Sequence, residues 1–172
     1  FFSYVTLSAG ILSSHIGYGL SVGVSDLNLY GYQDIYVSND FGENDYLYIN
    51  KQNGTFEQKL ETSIPHSSRF SMGNDIADIN NDGLNDIVTL DMLPSDEEVI
   101  KTSAGEDAFE IYEFKLRYGY HYQFARNSLQ LNRGLDDDGN LMFSDIAPFA
   151  GVEATGWSWG PLLADFDNDG YK

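Results

Sequence analysis

Short runs of alternating apolar and polar residues predict β-strands over most of the chain. Residues 34–37 and 86–90 are β-branched runs bounded by turn residues, a pattern typical of strands. In residues 46–49 and 128–131, Leu or Ile alternates with Tyr or with a polar residue. This period of two predicts strands with one buried face.

Turns and one helix interrupt this pattern. Asn53-Gly54 and Asp138-Gly139 are turn dipeptides between predicted strands, and the shorter of the two connections is typical of a β-hairpin. Residues 108–118 contain few turn residues and place apolar side chains at i, i+3 and i+7, which predicts a helix. The side chains of that helical face are Phe109, Tyr112 and Leu116.

The chain also repeats itself. Residues 78–86 read Asp-x-Asn-x-Asp-Gly-x-x-Asp, residues 165–170 read Asp-x-Asp-x-Asp-Gly, and residues 26–34 are a degenerate version of the same loop. A second motif, residues 45–50, matches residues 127–132, and each copy is followed by a Phe at the same distance from the next acidic loop. A register kept in this way predicts repeated structural units.

Each unit reads as strand, acidic loop, strand, connection, strand, turn, strand, which is typical of a propeller blade. We therefore expect an all-β fold, a partial β-propeller of four-stranded antiparallel blades with calcium-binding loops, plus a helical insertion near residues 94–126. Repeat 1 is predicted at about residues 17–58, repeat 2 at about 71–147, and a truncated repeat 3 from about 156. Because an open propeller exposes two sheet edges, and because no signal-peptide pattern is present, we expect a fragment of a larger protein.

The acidic loops have the composition of calcium sites. Calcium takes about six to eight oxygen ligands, so a loop must gather several carboxylates and amides around one point, and a Gly permits the tight turn. The second loop offers four side chains and one carbonyl, from Asp78, Asn80, Asp82, Asp86 and Leu84. The third loop offers three side chains and one carbonyl, from Asp165, Asp167, Asp169 and Tyr171.

Loops of this composition also occur in two different settings. Asp, Asn and Gly are common turn residues without any ion, although the repetition in one frame favours calcium. An EF-hand loop shares the alternation of acids but needs a Glu at position twelve and flanking helices. Position twelve from Asp78 is Thr89, and strands are predicted on both sides, so the sequence excludes an EF-hand.

The first loop is a weaker candidate. Asp26, Asn28 and Asp34 keep three of the ligand positions, but Tyr30 stands where the third acid belongs. This loop either binds calcium with fewer carboxylates or replaces the ion with aromatic packing.

Charge and composition exclude several classes of partner. The 172 residues include 27 acidic and 9 basic ones, for a net charge of −18. Such a field repels nucleic acids and anionic lipid surfaces, and we expect no nucleic-acid partner. No apolar run approaches the roughly 20 residues of a membrane-spanning helix. With no cysteine in the chain, disulfides and thiolate metal sites are excluded.

The remaining polar residues with possible chemistry favour structural or solvated roles. Three histidines lie in unrelated contexts without a triad pattern, which favours structural roles for His15, His66 and His121. Acidic residues of the insertion are expected on a solvated helix face, at Glu97, Glu98, Glu106, Asp107, Glu110 and Glu113. Residues 136–138 are acidic as well, and a solvated hairpin turn is favoured there over a cation site.

Aromatic residues from the insertion onwards allow two interpretations. They could form a sugar-stacking platform, but packing in the core and between blades is favoured. The set comprises Tyr112, Tyr118, Tyr120, Tyr122, Phe124, Trp157 and Trp159.

Several segments resemble FG-GAP/VCBS repeats, namely residues 17–22, 34–40, 47–50 and 53–56. The most similar variety is that of proteins ending in an ASPIC/UnbV domain, akin to cartilage acidic proteins, and residues 91–94, 118–121 and 155–160 resemble large secreted or surface-anchored members from Bacteroidetes. The resemblance implies an integrin-α-like β-propeller, typically of seven blades, with calcium in its loops and an address outside the cytoplasm. Tyr30 and the lack of an ASPIC/UnbV domain depart from the family pattern.

From residues and resemblance together we expect a calcium-stabilised, non-catalytic binding or scaffolding module at the cell surface or secreted. The expected partner is a protein of the cell envelope or a glycan, in a larger complex. The alternative is the propeller scaffold of a polysaccharide-cleaving enzyme. Its site would need a cluster such as His121, Tyr122 and Arg126 with Trp157.

Overall fold

The computed structural model describes residues 3–103 and 108–172, so Glu106 and Asp107 of the insertion lie outside the described residues. The strands are β1 (Gly19–Ser25), β2 (Asp34–Asn39), β3 (Tyr46–Asn50), β4 (Phe56–Gln58), β5 (Ser67–Ser68), β6 (Gly73–Ala77), β7 (Asp86–Leu90), β8 (Gln123–Phe124), β9 (Ser128–Leu135) and β10 (Leu141–Asp145). The helices are α1 (Leu60–Ser63), α2 (Glu97–Thr102), α3 (Phe109–Arg117) and α4 (Ala147–Ala150). The fold is mostly β with antiparallel sheets, as the alternation predicted.

The first sheet has the strand order β1-β2-β3-β4, each strand antiparallel to the next. Sequential antiparallel strands need only short connections. Here these are the acidic loop between β1 and β2, a loop between β2 and β3, and the hairpin at Asn53-Gly54. The sheet is therefore one self-contained supersecondary unit.

The second sheet repeats this order as β6-β7-β9-β10. The insertion lies between β7 and β9 and contains α2 and α3, neither of which has a buried residue. At the end of the insertion, β8 pairs with β5 in parallel, with Ser67 opposite Gln123. The insertion thus leaves and rejoins the sheet without changing its strand order.

The main core lies between the two sheets. Tyr36 and Leu47 of the first sheet form one buried cluster with Ile87 and Phe143 of the second, and Leu60 of α1 closes it. A second cluster forms on the far side of the second sheet, where Val88, Leu129 and Ala147 pack with Leu163. The sheets are therefore stacked face to face, and the segment after α4 begins the next layer.

The prediction of one buried face was wrong for β3 and β9. Tyr46 and Tyr48 are 8 % and 1 % exposed, and Ser128 and Gln130 are buried as well as Leu129. The reason is that other parts of the chain pack against both faces of these strands. The N-terminal segment lies over the tyrosine face, where the N–H of Leu12 donates to the Tyr48 hydroxyl at 3.1 Å.

Two glycines, in β1 and β6, allow neighbouring parts of the chain to lie very close to these strands. At Gly23 an added Cβ would lie 2.5 Å from Asn74 Oδ1 and 2.7 Å from Ile76 Cδ1. At Gly73 an added Cβ would overlap the carbonyl oxygen of Trp159. Glycine at both positions allows neighbouring layers to approach more closely than any other residue would permit.

Within residues 3–103 and 108–172, no helix combines the length and apolar character needed to cross a membrane.

Candidate metal-binding loops

The three acidic loops share one backbone conformation. The fourth residue of each is left-handed, with φ of 59° at Leu29, 58° at Asn81 and 61° at Asn168. The sixth residue is a Gly with φ of 84°, 88° and 92° in the three copies. Left-handed backbone at a residue with a side chain is uncommon, so its recurrence supports the repeat register found in the sequence.

In each loop the first aspartate accepts hydrogen bonds from backbone N–H groups later in the same loop. In the second loop, Asp78 accepts hydrogen bonds from the N–H groups of Asp82 at 3.2 Å and Gly83 at 2.8 Å. In the third loop, Asp165 accepts from Asp169 at 3.1 Å and Gly170 at 2.8 Å. Both carboxylates lie where the loop curls around them.

These donors keep the first carboxylate ionised. Desolvation acts to raise the pKa of Asp78, but the backbone N–H groups of Gly83 and Asp82 hold it below its ordinary value. The N–H of Gly170 is the main group that lowers the pKa of Asp165. Both loops therefore present negative charge at neutral pH, as a cation site requires.

The third loop gathers its acids most tightly. One ligand oxygen from each of Asp165, Asp167 and Asp169 lies within 4.8 Å of the others. Among the described residues no other group of three or more His, Cys, Asp or Glu side chains converges in this way. The loop can thus offer three carboxylates to one ion.

In the second loop the acids are more dispersed. Asp82 accepts from the N–H of Leu84 at 2.8 Å, and Asn80 donates its amide to Asp82 at 2.9 Å. Asp86, the last acid of this loop, is fully buried. Its two oxygens accept from the N–H groups of Ile79 at 3.0 Å and Asn132 at 2.8 Å.

The first loop repeats this arrangement with an aromatic residue in the third position. Asp34 is buried and accepts from the N–H groups of Leu27 at 3.0 Å and Asn50 at 2.8 Å. Asp26 accepts from the N–H groups of Tyr30 and Gly31. Tyr30 is 52 % exposed, and calcium binding by this loop stays a prediction.

The loops lie next to each other at one end of the sheets. Asn85 donates to Ser25 Oγ at 2.8 Å, which joins the second loop to the first. Asn81 donates to the carbonyl of Gly170 at 2.9 Å, which joins the second loop to the third. The structure therefore brings the three predicted loops together, and Leu84 and Tyr171 each contribute an N–H to the third aspartate of their own loop.

Sequence reasoning missed a second pair of equivalent residues at the opposite end of the strands. Asp45 accepts from the N–H of Asn39 at 2.8 Å, and Asn127 accepts from the N–H of Asp91 at 2.7 Å. Asp45 also accepts from the hydroxyls of Tyr36 and Ser71. The sequence did contain an indication of this equivalence, because Asp45 and Asn127 are the first residues of the two copies of the repeated strand motif.

The residues considered for catalysis have separate partners. His121 Nε2 lies 2.8 Å from the carbonyl oxygen of Ile64. Arg126 forms an ion pair of 2.6 Å with Asp145, which also lies 3.1 Å from His66 Nε2. Structural roles for His66 and His121 agree with these contacts.

Many of the later aromatic residues are not packed in the core. Tyr118, Tyr122, Trp157 and Trp159 are 70 %, 50 %, 71 % and 63 % exposed, so these four are not packed in the core of this chain, and their packing between blades stays a prediction. Tyr112 does stack on Phe124, with ring centroids 6.4 Å apart.

The comparison with family models gives a result for the first half of the chain. Residues 9–89 match the family described as FG-GAP-like repeat. The match covers the first sheet and continues through β6 and β7, including the first two acidic loops. It supports an FG-GAP-like repeat protein. No curated protein matches the chain, and the link to ASPIC/UnbV proteins and to Bacteroidetes stays a prediction.

Proposed function

We propose that this FG-GAP-like repeat chain is part of a calcium-stabilised β-propeller that serves as a non-catalytic binding or scaffolding module outside the cytoplasm. The observation that carries the proposal is the convergence of Asp165, Asp167 and Asp169 within 4.8 Å. Negative charges so close together repel one another unless a cation lies between them.

The donor set of the loops suits calcium. The third loop supplies three carboxylates, and the second supplies the half-buried Asp78 and the exposed Asp82 with the Asn80 amide. Calcium favours such oxygen ligands at flexible geometry. In the second loop, burial raises the pKa of Asp86, and the charges of Asp82 and Asp78 raise it further, so a cation bound there would relieve this repulsion. The Leu84 and Tyr171 carbonyls would complete the two shells.

A role outside the cytoplasm agrees with the charge. Sites built on exposed loops bind calcium at about 0.1–1 mM in extracellular modules, where that concentration of free calcium is available. Two bound ions would offset four of the negative charges on a chain of net charge −18.

The proposal includes no catalytic step. Two residues of the cluster that the enzyme alternative requires are engaged in structural contacts. His121 lies against the Ile64 carbonyl, and Arg126 pairs with Asp145. The binding role is assigned instead to the loops and the insertion, since loops carry the functional variation of such scaffolds. A protein of the cell envelope or a glycan is the proposed partner.

Thermal unfolding tests the calcium assignment. Ligands that bind only the folded state raise its stability, so millimolar calcium should raise the Tm above that measured in EDTA. Asp169→Asn should reduce that rise, whereas Asp137→Asn, in the exposed turn before β10, should leave it unchanged. Equal Tm values with calcium and EDTA would refute the calcium assignment.

A further inference from the structure

A cleft lies beside the first acidic loop. It has a volume of about 390 Å³, within the range of about 300–1,000 Å³ that small-molecule sites occupy. Both sheets contribute to it. The first sheet supplies the β1–β2 loop, the β3–β4 hairpin and α1, and the second supplies the β9–β10 hairpin.

Tyr30 supplies the aromatic surface of this cleft. It occupies the loop position where the second and third loops have Asp82 and Asp169. Its backbone N–H is bonded to Asp26 and Asn28 at 3.1 Å each, which holds the residue in place while it remains 52 % exposed. The loop therefore keeps its shape and presents a ring instead of a carboxylate.

Amide side chains provide the polar lining. They belong to Asn28, Asn50, Gln52 and Asn140. The amides of Asn28, Asn50 and Asn140 already make hydrogen bonds within the chain, so each offers a ligand its remaining donor or acceptor positions. An amide carries both donors and acceptors, and so matches hydroxyl groups that also donate and accept. An aromatic ring together with several amides is suited to a ligand with one apolar face and many hydroxyls, which describes a sugar ring.

The charge of the lining differs from that of the chain. Lys51 and Lys59 line the cleft together with a single acid, Glu57. Lys59 pairs with Glu57 at 3.0 Å, which leaves the Lys51 ammonium as the charge available to a ligand. In a chain of net charge −18, this lining favours a ligand that carries a carboxylate.

We propose that this cleft binds an acidic saccharide, with the Tyr30 ring against a sugar face and Lys51 beside the carboxylate of a uronic-acid unit. The inference deepens the proposed binding role by naming a ligand class, and it does not depend on calcium in the second and third loops.

The test is isothermal titration of the 172-residue chain with trigalacturonate and with its fully methyl-esterified form, which has the same skeleton without charge. We expect saturable binding of the acid and weaker binding of the ester. Tyr30→Ala should weaken the binding of the acid by about tenfold, the loss of one aromatic contact. Tyr32→Ala is the matched control, since Tyr32 is 45 % exposed in the same loop but does not line the cleft.

Lys51→Gln tests the charge. It should bring the affinities for acid and ester together, whereas Lys101→Gln, on α2 far along the chain, should not. Amide chemical shifts should change at residues of the β1–β2 loop and the two hairpins. These shifts report a site even where a variant is less stable.

Three results would overturn the proposal: no binding of trigalacturonate, equal binding of the ester, or full affinity in Tyr30→Ala. Because uronates also chelate calcium, each titration is run both with millimolar calcium and with EDTA. A calcium-dependent Tm without saccharide binding would refute only this inference, and saccharide binding without a calcium-dependent Tm would refute only the calcium proposal.

Discussion

Asp86 Oδ1 accepts a hydrogen bond of 2.8 Å from the backbone N–H of Asn132. The same carboxylate accepts from Ile79 through its other oxygen. One buried side chain therefore joins the acidic loop to β9, across the whole insertion. Asp34 and Asn50 form the same contact at 2.8 Å in the first sheet. The last acid of the first loop and that of the second loop, Asp34 and Asp86, are consequently structural residues, whatever they contribute to an ion.

Substitution of Asp86 should separate these two roles from each other. Asp86→Ala leaves two buried N–H groups without partners, which should cost about 2 kcal/mol, or roughly 6 °C in Tm. That loss should appear in EDTA as well as in calcium. Asp82→Ala, at an exposed position of the same loop, should lower the Tm in calcium and change it little in EDTA. Thermal unfolding of both variants in both buffers makes the comparison, and an Asp86→Ala defect confined to calcium would contradict the structural role.

Tyr30→Asp should create a calcium response in the first loop. The backbone of this loop already matches the other two, with φ of 59° at Leu29 and 84° at Gly31. The substitution supplies the third carboxylate that the loop lacks. We expect the calcium-dependent rise in Tm to be larger in Tyr30→Asp than in the unmodified chain. Tyr30→Asn adds an amide without charge and serves as the control, with a smaller gain expected.

Gly73→Ala should destabilise the contact between β6 and the segment after α4. An added Cβ would overlap the Trp159 carbonyl oxygen, which is backbone and cannot rotate away. Overpacking of this kind costs about 1–3 kcal/mol. Gly42→Ala is the matched control, because no atom lies within 4 Å of a Cβ built there. Urea unfolding should show a lower midpoint for Gly73→Ala alone, and equal midpoints would show that the segment does not dock on β6.

Asp45 should make stability fall as the pH rises. Burial raises the pKa of this carboxyl to about 7, from an ordinary value of about 3.9 in the unfolded chain. Between these values the folded state binds a proton that the unfolded state has released, so the free energy of unfolding decreases with increasing pH. From about pH 5 to about pH 8 this contribution should reach about 2 kcal/mol.

Asp45→Asn is the variant that tests this prediction. Asn127 already occupies the equivalent position in the second sheet and accepts the equivalent N–H at 2.7 Å, so an amide fits there. Urea unfolding at the two pH values should give a smaller decrease for the variant. Desolvation acts to raise the pKa of Asp145, but His66, backbone donors and Arg126 lower it to about 2. This carboxyl is therefore ionised throughout the window and does not contribute to the decrease. Equal decreases in both proteins would show that Asp45 is already ionised at about pH 5.

Patterns within a few residues of sequence predicted many of the strands and one helix. The β-branched runs became β2 and β7, the Leu-x-Leu/Ile motifs became β3 and β9, and the helical spacing became α3. Strand alternation and turn dipeptides act over a few residues, so they can be recognised in the sequence. The acidic loops were found in the same way, and their common backbone agrees with the repeat.

Long-range partners could not be found in this way. Asp86 was assigned to an ion because its spacing from Asp78 suits one, yet its contact with Asn132 depends on how β7 and β9 pair across the insertion. The burial of Tyr46 and Tyr48 depends on the N-terminal segment, which carries no pattern that pairs it with β3.

The amino-acid sequence specifies the repeat, the strands and the acidic loops, because each is encoded by side chains within a few residues of one another. The tertiary fold specifies which of those side chains have partners. It buries residues on both faces of β3 and β9, engages Asp34 and Asp86 with backbone donors, and leaves Tyr30 exposed beside a cleft between two sheets. The physical reason is that burial and hydrogen bonding depend on neighbours brought together by folding, which spacing along the chain does not record.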